Sequence, residues 1–389
     1  MILLNQMKSS LETELDTFFQ TIHDSDLPRR DVTKGAFSQA RIKLNHQSFI
    51  ELNDLAIDRY NREFSRSPLL GYRKLAVDGS TLKLHKNEEI AKHFCGMSFS
   101  SGAERPMARV SQLYDLGNKL TLDARIAPYS TGERELALDH MHYLTEKDLV
   151  ILDRGYPAFW FFAAIRSKGA HFCARMSLDH WQFVRQFHLS GQRESWVTIS
   201  PPPESKEKCH ELGLSIAPMT LRLIRVDLEN GETEILITSL LDAQQFPHTL
   251  FADLYHERWG VEENYKVIKC RLQMENFTGE TVASIYQDFH ARIFTLNVSA
   301  IFAHIAQEEV DRHKTETKHP QQINLTYVLS IMKDRILLLF HRLKPYELIR
   351  QLLTLFYRTT ESKRANRKYP RNKRVRDHPT FFRAYKQGR

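Results

Sequence analysis

Tyr255, Arg258, Glu262 and Lys269 are spaced so that a single helix would carry all four along one edge. At about 100° per residue they fall at roughly 0°, 300°, 340° and 320°, a stripe about 60° wide. Leu254, Val261, Ile268 and Leu272 form a neighbouring apolar stripe at roughly 220° to 260°, the face such a helix buries. A carboxylate, two cations and a phenol beside a core suit a site that holds a metal and a phosphate together. Arg258 and Lys269 would grip phosphate, the first as a bidentate fork and the second as a point charge, with the Tyr255 hydroxyl as a further donor. Lys266 lies on the same helix and serves either as a further phosphate contact or as an ion-pair partner of Glu262.

Two more acids have the right setting. Leu75-Ala-Val-Asp78-Gly79 and Leu149-Val-Ile-Leu-Asp153-Arg-Gly155 are apolar runs that each end in an aspartate and a glycine turn, the pattern of buried strands delivering an acid at their ends. Asp78, Asp153 and Glu262 are an oxygen-only donor set, which suits hard cations such as Mg²⁺ or Mn²⁺. Two such ions ~4 Å apart would serve the attacking and leaving oxygens of a phosphodiester. In that scheme Asp78 bridges both ions, and Asp153 and Glu262 hold one each. Each acid taken alone also has a plain reading: an Asp before Gly forms turns, and Glu262 pairs with Arg258 or Lys266 on a helix surface. Asp115, Asp123 and Glu263 read as structural.

The elements that must position these residues follow in a definite order. Ala108 to Leu116 and Lys119 to Ile126 alternate in polarity around Gly117-Asn118 and predict a hairpin. Gly132 to Leu144 reads as a helix, Pro157 opens another through Ile165, and Ala170 to Met176 is a further strand. Strand, hairpin, helix, strand, helix, strand is the order of an α/β, ribonuclease H-like core. Residues 177–241 read as a β-rich insertion with turns at Ser200-Pro-Pro-Pro203 and Asn230-Gly231. Helices flank the core on both sides. The predicted organisation is a helical region at 1–68, the first part of the core at 69–176, the insertion at 177–241, the rest of the core with the signature helix at 242–309, and C-terminal helices with a basic tail at 310–389. Lys34 to Lys43 suits the docking edge of a small DNA-binding unit as well as it suits a solvated helix face.

Composition narrows the class. The chain has 389 residues, 42% hydrophobic and 26% charged, as in ordinary globular proteins. No apolar run reaches the ~20 residues of a membrane span, and Met1 to Lys8 lacks the pattern of a signal peptide. A cytoplasmic protein is expected. The cysteines at 95, 173, 209 and 270 form no C-x-x-C pair, so neither a zinc ribbon nor a disulfide framework is indicated. From Glu361 to Arg389 there are eleven Lys and Arg against two acids, which accounts for the whole net charge of +8. With Tyr369, Phe381, Phe382 and Tyr385 interleaved, this tail suits nucleic acid.

The spacing Tyr255-x2-Arg258-x3-Glu262-x6-Lys269 resembles the Y-R-E-K signature of the DDE transposases of insertion sequence family 4. Val77-Asp78-Gly-Ser, Leu152-Asp153-Arg-Gly-Tyr156, Gly132-Glu-Arg, Ala36-Phe-Ser-Gln-Ala-Arg41 and Leu272-Gln-Met-Glu-Asn-Phe277 resemble it too, over roughly residues 30–300. The resemblance implies Asp78, Asp153 and Glu262 as catalytic metal ligands, two Mg²⁺ or Mn²⁺ ions, and a homodimer acting on terminal inverted repeats and target DNA. It implies hydrolytic nicking, hairpin formation by the freed 3′-hydroxyl, hairpin opening and strand transfer. It also implies a flipped base held by an aromatic side chain of the insertion, for which Trp181 and Trp196 are candidates. A nuclease that cuts without joining, and a DNA-binding protein that has lost catalysis, use the same surfaces and remain as alternatives.

Overall fold

A computed structural model describes residues 1–5, 9–64, 69–98, 104–228, 231–313 and 319–362 of the chain. The basic tail beyond 362 lies outside the described residues. The chain forms two compact units, one of Met1–Tyr60 with Val267–Arg389 and one of Asn61–Lys266. In chain order, the first unit opens with α1 (Leu11–Ile22), α2 (Lys34–Ile42) and α3 (Gln47–Glu63). The second unit runs through β1 (Arg73–Lys83), α4 (Glu88–Phe94), β2 (Gly96–Ser98), β3 (Glu104–Asp115), β4 (Leu120–Pro128), α5 (Glu133–Leu138), β5 (Asp148–Leu152), α6 (Phe159–Ser167) and β6 (His171–Met176). It continues with α7 (Gln182–Ser190), β7 (Glu194–Ile199), α8 (Pro203–Glu211), β8 (Met219–Asp227), β9 (Thr233–Thr238), α9 (Leu250–His256) and α10 (Trp259–Lys266). The first unit resumes with α11 (Val282–His313), β10 (Gln321–Ile323), α12 (Leu325–His341), α13 (Tyr346–Arg358) and β11 (Thr360–Ser362).

The second unit is built on one nine-stranded mixed sheet. β1 lies between β3, antiparallel to it, and β5, parallel to it; β6 is parallel to β5, and β4 pairs with the outer side of β3. The order β4-β3-β1-β5-β6 is the ribonuclease H-like order expected from the sequence. β5 is buried at all five positions, as a central parallel strand covered on both faces must be. Its register with β1 is pinned at the start of both strands. There the Arg73 guanidinium donates to both oxygens of the fully buried Asp148 at 2.7 and 2.9 Å, and the Thr145 backbone N–H caps the same carboxylate at 2.7 Å. The predicted hairpin is β3–β4. Asp115 closes its turn, accepting from the backbone N–H groups of Gly117 and Asn118, so it is a turn former here.

Two sequence readings need correction. Asp78 is not at a strand end: β1 runs five residues beyond it, because Gly79 to Lys83 continue the ladder with β3 down to Met107. The segment 177–241 also holds two helices beside its three strands. Pro203 sits at the N-terminus of α8, where its missing N–H has no helical partner to lose, so the proline run starts a helix. The three strands extend the core sheet through the β6–β9 pairing rather than forming a separate one.

In the first unit α11, 32 residues long, is the central element, with a core of Leu15, Phe49, Phe294, Met332, Ile336 and Phe356 around it. Arg41 on α2 was part of the expected docking edge. Its side chain is instead turned inward onto α11, donating to Asp288 at 2.7 Å and to Gln287 at 2.6 Å. Among the described residues no helix is long and apolar enough to cross a membrane.

Candidate active site

The parallel pairing of β1 and β5 ends with Val77 opposite Leu152. The next residue of each strand is an aspartate, so Asp78 and Asp153 leave neighbouring strands side by side, at the ~5 Å spacing of a sheet. β5 stops there while β1 goes on. Asp78 therefore lies at the carboxyl edge of the parallel strands, where an open α/β sheet leaves a crevice.

Tyr255, Arg258 and Glu262 come to the same place from α9 and α10. The single helix expected over Tyr255 to Lys269 is in fact broken. After His256 the hydrogen bonds shorten to the i, i+3 kind, from Arg258 N–H to Tyr255 O and from Gly260 N–H to Glu257 O, and a π-helical turn follows at Val267–Arg271. Gly260 falls in this junction, and a methyl group there would stand 3.1 Å from Leu116 Cδ2. The bend lets α10 come down on the sheet, with Val261 fully buried against Ala76 and Tyr114. α10 is then fastened by polar bonds. The Asn264 amide donates to Gln112 Oε1 at 2.8 Å and to Thr121 Oγ1 at 3.1 Å, all three side chains being buried, and the Tyr265 hydroxyl donates to the backbone carbonyl of Asp78 at 2.9 Å.

In the resulting cluster Arg258 Nη2 donates to Glu262 Oε1 at 2.6 Å, and the Tyr255 hydroxyl donates to Asp153 Oδ1 at 3.3 Å. The Asp78 carboxyl is pushed up to about 7, chiefly by burial, with the charges of Glu262 and Glu133 adding to it and Arg258 and the Gly79 N–H working against it. Burial opposes the charge of Arg258, but Tyr255, Glu262 and Asp153 outweigh it and raise its pKa. Burial likewise holds the Tyr255 hydroxyl well above the ordinary phenol range. Two buried donors in this region have no acceptor, Arg258 Nε and the Tyr156 hydroxyl.

The structure thus brings together Asp78, Asp153, Glu262, Tyr255 and Arg258. Lys266 is exposed at the end of α10, and Lys269 falls in the π-helical turn that follows it. Among the described residues no three His, Cys, Asp or Glu side chains are gathered closely enough to enclose a metal ion. The donor set nevertheless fits one. Asp78 is a desolvated carboxylate with too little positive charge beside it, Asp153 and Glu262 are partly exposed, and all the donors are hard oxygens. Tyr265, Asn264 and Gln112 went unassigned in the sequence. Their only signal there was the placing of Asn264 and Tyr265 two and three residues after Glu262.

Beside Asp153 lies a cleft of about 750 Å³ lined by Arg134, Arg154, Trp160, Trp181, Phe183 and Pro201. Trp196 does not line it; its indole N–H donates to Leu241 O at 3.2 Å and its ring lies against the Arg222 guanidinium.

Residues 69–298 match the family described as the transposase DDE domain. The chain is 24% identical over 248 residues to transposase InsG for insertion sequence element IS4 of Escherichia coli (strain K12), covering 64% of this chain and 55% of that protein. It thus spans about half the length of the curated relative it matches. Among solved structures, the piggyBac transposase in its synaptic complex with hairpin DNA is similar at a TM-score of 0.39 and 10% identity, over 74% of this chain and 57% of that one.

Proposed function

Because this chain belongs to the transposase DDE domain family, we propose that it is a DNA transposase whose catalytic carboxylates are Asp78, Asp153 and Glu262. The observation that carries the reading is the pair of aspartates leaving adjacent strands beside the Arg258–Glu262 ion pair. The three carboxylates would hold divalent metal, Mg²⁺ or Mn²⁺, as two ions. When bound, such ions supply Lewis-acid activation of the attacking oxygen and stabilisation of the leaving one.

The chain's own groups do the rest. Arg258, in contact with Glu262 here, would offer its Nε to a non-bridging phosphate oxygen, and Glu262 would serve as a metal ligand. Tyr255 orients Asp153. Tyr265 and Asn264 keep α10 on the sheet, so Glu262 stays opposite Asp78. Water attacks the phosphodiester at the element's end, the bond to the 3′ oxygen breaks, and the freed 3′-hydroxyl is the nucleophile of the next step, first on the opposite strand to give a hairpin and later on target DNA. Trp181 lies in the cleft next to Asp153, and we assign it rather than Trp196 to stacking a flipped base. Lys266 and Lys269 are assigned to DNA phosphates outside the metal site. The protein acts in the bacterial cytoplasm on nucleoid DNA, as a dimer that pairs two inverted-repeat ends.

A strand-transfer assay with a pre-cut inverted-repeat end, a target plasmid and Mg²⁺ tests the reading. Joined product that is lost in Asp153→Ala supports it. Nicked DNA with no joined product would instead mark a nuclease.

A further inference from the structure

The residues Gly132, Glu133 and Arg134 at the start of α5 reach both acidic strands. Arg134 Nε donates to the carbonyl of Gly155 at 2.7 Å, which ties α5 to the turn that follows Asp153. The Glu133 side chain lies on the β1 backbone at Gly79, the residue after Asp78. A methyl group at Gly79 would collide with Glu133 Oε1 and stand 2.8 Å from its Cδ and Cγ, so any larger residue there would push the carboxylate from this position. Glu133 is partly buried, and its carboxylate makes no hydrogen bond or ion pair among the described residues. A partly buried carboxylate near a second one is an arrangement that a bound cation would relieve.

An independent feature points the same way. Tyr156 is 2% exposed, and its hydroxyl has no hydrogen-bond partner. Burial, and after it the charges of Glu133, Asp78, Tyr265 and Asp153, raise the pKa of that hydroxyl, so it lies near those groups. Buried hydroxyls in native proteins are almost always paired, through ordered water where protein groups are lacking.

We propose that Glu133 is a fourth carboxylate of the divalent-cation site, and that the Tyr156 hydroxyl donates to a water oxygen of the cation's hydration shell. The inference rests on the assignment of Asp78 and Asp153 to that site. It differs in sign from a merely structural role. If Glu133 were only a like-charged neighbour that raises the proton affinity of Asp78, removing its charge would strengthen cation binding near neutral pH.

Titration of the full-length, DNA-free protein with Mn²⁺ at pH 7, followed by electron paramagnetic resonance, separates the two. Glu133→Gln is expected to weaken Mn²⁺ binding on the order of tenfold, and Tyr156→Phe to weaken it by a smaller factor. Glu135→Gln, an exposed acid on the same helix, should match the wild type. Asp78→Asn should abolish binding. Wild-type or tighter binding by Glu133→Gln, with binding lost in Asp78→Asn, overturns the role of Glu133 alone. Unchanged binding in Asp78→Asn overturns the underlying site and this inference with it. Should Glu133→Gln fail to fold, Fe²⁺ substituted into the wild type, with ascorbate and peroxide, should cut the chain beside residue 133; absence of that cut overturns the proposal.

Discussion

Asp78→Asn should make the metal-free protein more stable above neutral pH while it destroys catalysis. Burial strips water from the Asp78 carboxylate and, with Glu262 and Glu133 close by, pushes its pKa up from 3.8 to about 7. Between those two values the native state keeps a proton that the unfolded chain gives up. Wild-type stability therefore falls as pH rises through this window and levels off above it. A rise of about three units at ~1.4 kcal/mol each comes to ~4 kcal/mol of cost at pH 8. Asn carries no such cost, and its carbonyl can still accept from the Gly79 N–H. Urea unfolding in EDTA at several pH values measures the difference. It should be near zero at pH 4, grow towards pH 7 in favour of Asp78→Asn, and stay level beyond. Added Mg²⁺ should reverse the order by stabilising the wild type alone. A stability gap that does not grow with pH would refute the claim that Asp78 is a desolvated, under-compensated carboxylate.

Other perturbations test the supports of the site. Asp148→Ala leaves the Arg73 guanidinium buried without its counter-charge and should cost ~3–5 kcal/mol in urea unfolding; a loss below ~1 kcal/mol would mean that the pair does not pin β1 to β5. Asn264→Ala leaves buried Gln112 Oε1 with only a 3.5 Å contact from Thr121 Oγ1 and should lower stability by ~1–3 kcal/mol together with cleavage rate, since α10 loses one of its fastenings to the sheet. Full activity in that variant would show that Glu262 needs no such anchor. Trp181→Ala should abolish the fluorescence change of a 2-aminopurine placed at the cut DNA end, whereas Trp196→Ala should keep it; the opposite pattern would move the stacking role to Trp196.

Much of the core was legible because it depended on local patterns. The apolar runs before Asp78 and Asp153 are strands, and Gly117-Asn118 marks the hairpin. The three acids stand out by type. The errors arose where tertiary packing overrules local preference. Gly79-Ser-Thr looked like a strand stop, yet β3 offers it a ladder of hydrogen bonds, and the Glu133 side chain lies against the glycine. The helical wheel over 255–269 assumed uniform winding, whereas the chain tightens at Arg258 and loosens into a π turn at Val267. Ser111, His140 and Asp123 form a hydrogen-bonded chain of 2.8 Å links, but all three are buried, so it braces β3 and β4 against the segment after α5. Glu133 and Tyr156 lie in motifs shared with the family, Gly132-Glu-Arg and Leu152-Asp153-Arg-Gly-Tyr156, but nothing in those motifs gave either residue a role. Their meaning is visible only once β1, β5 and α5 are folded together.

Chain segments separated by 75 and 109 positions are proposed to meet at one site for divalent metal. Iron-directed cleavage tests it most directly: Fe²⁺ bound in place of Mg²⁺ in the full-length protein, with ascorbate and peroxide, cuts the backbone beside the metal. Cuts are expected to cluster near residues 78, 153 and 262 and to be suppressed together by excess Mg²⁺. Cuts that miss any one of these three segments, or that persist in Mg²⁺, would contradict it.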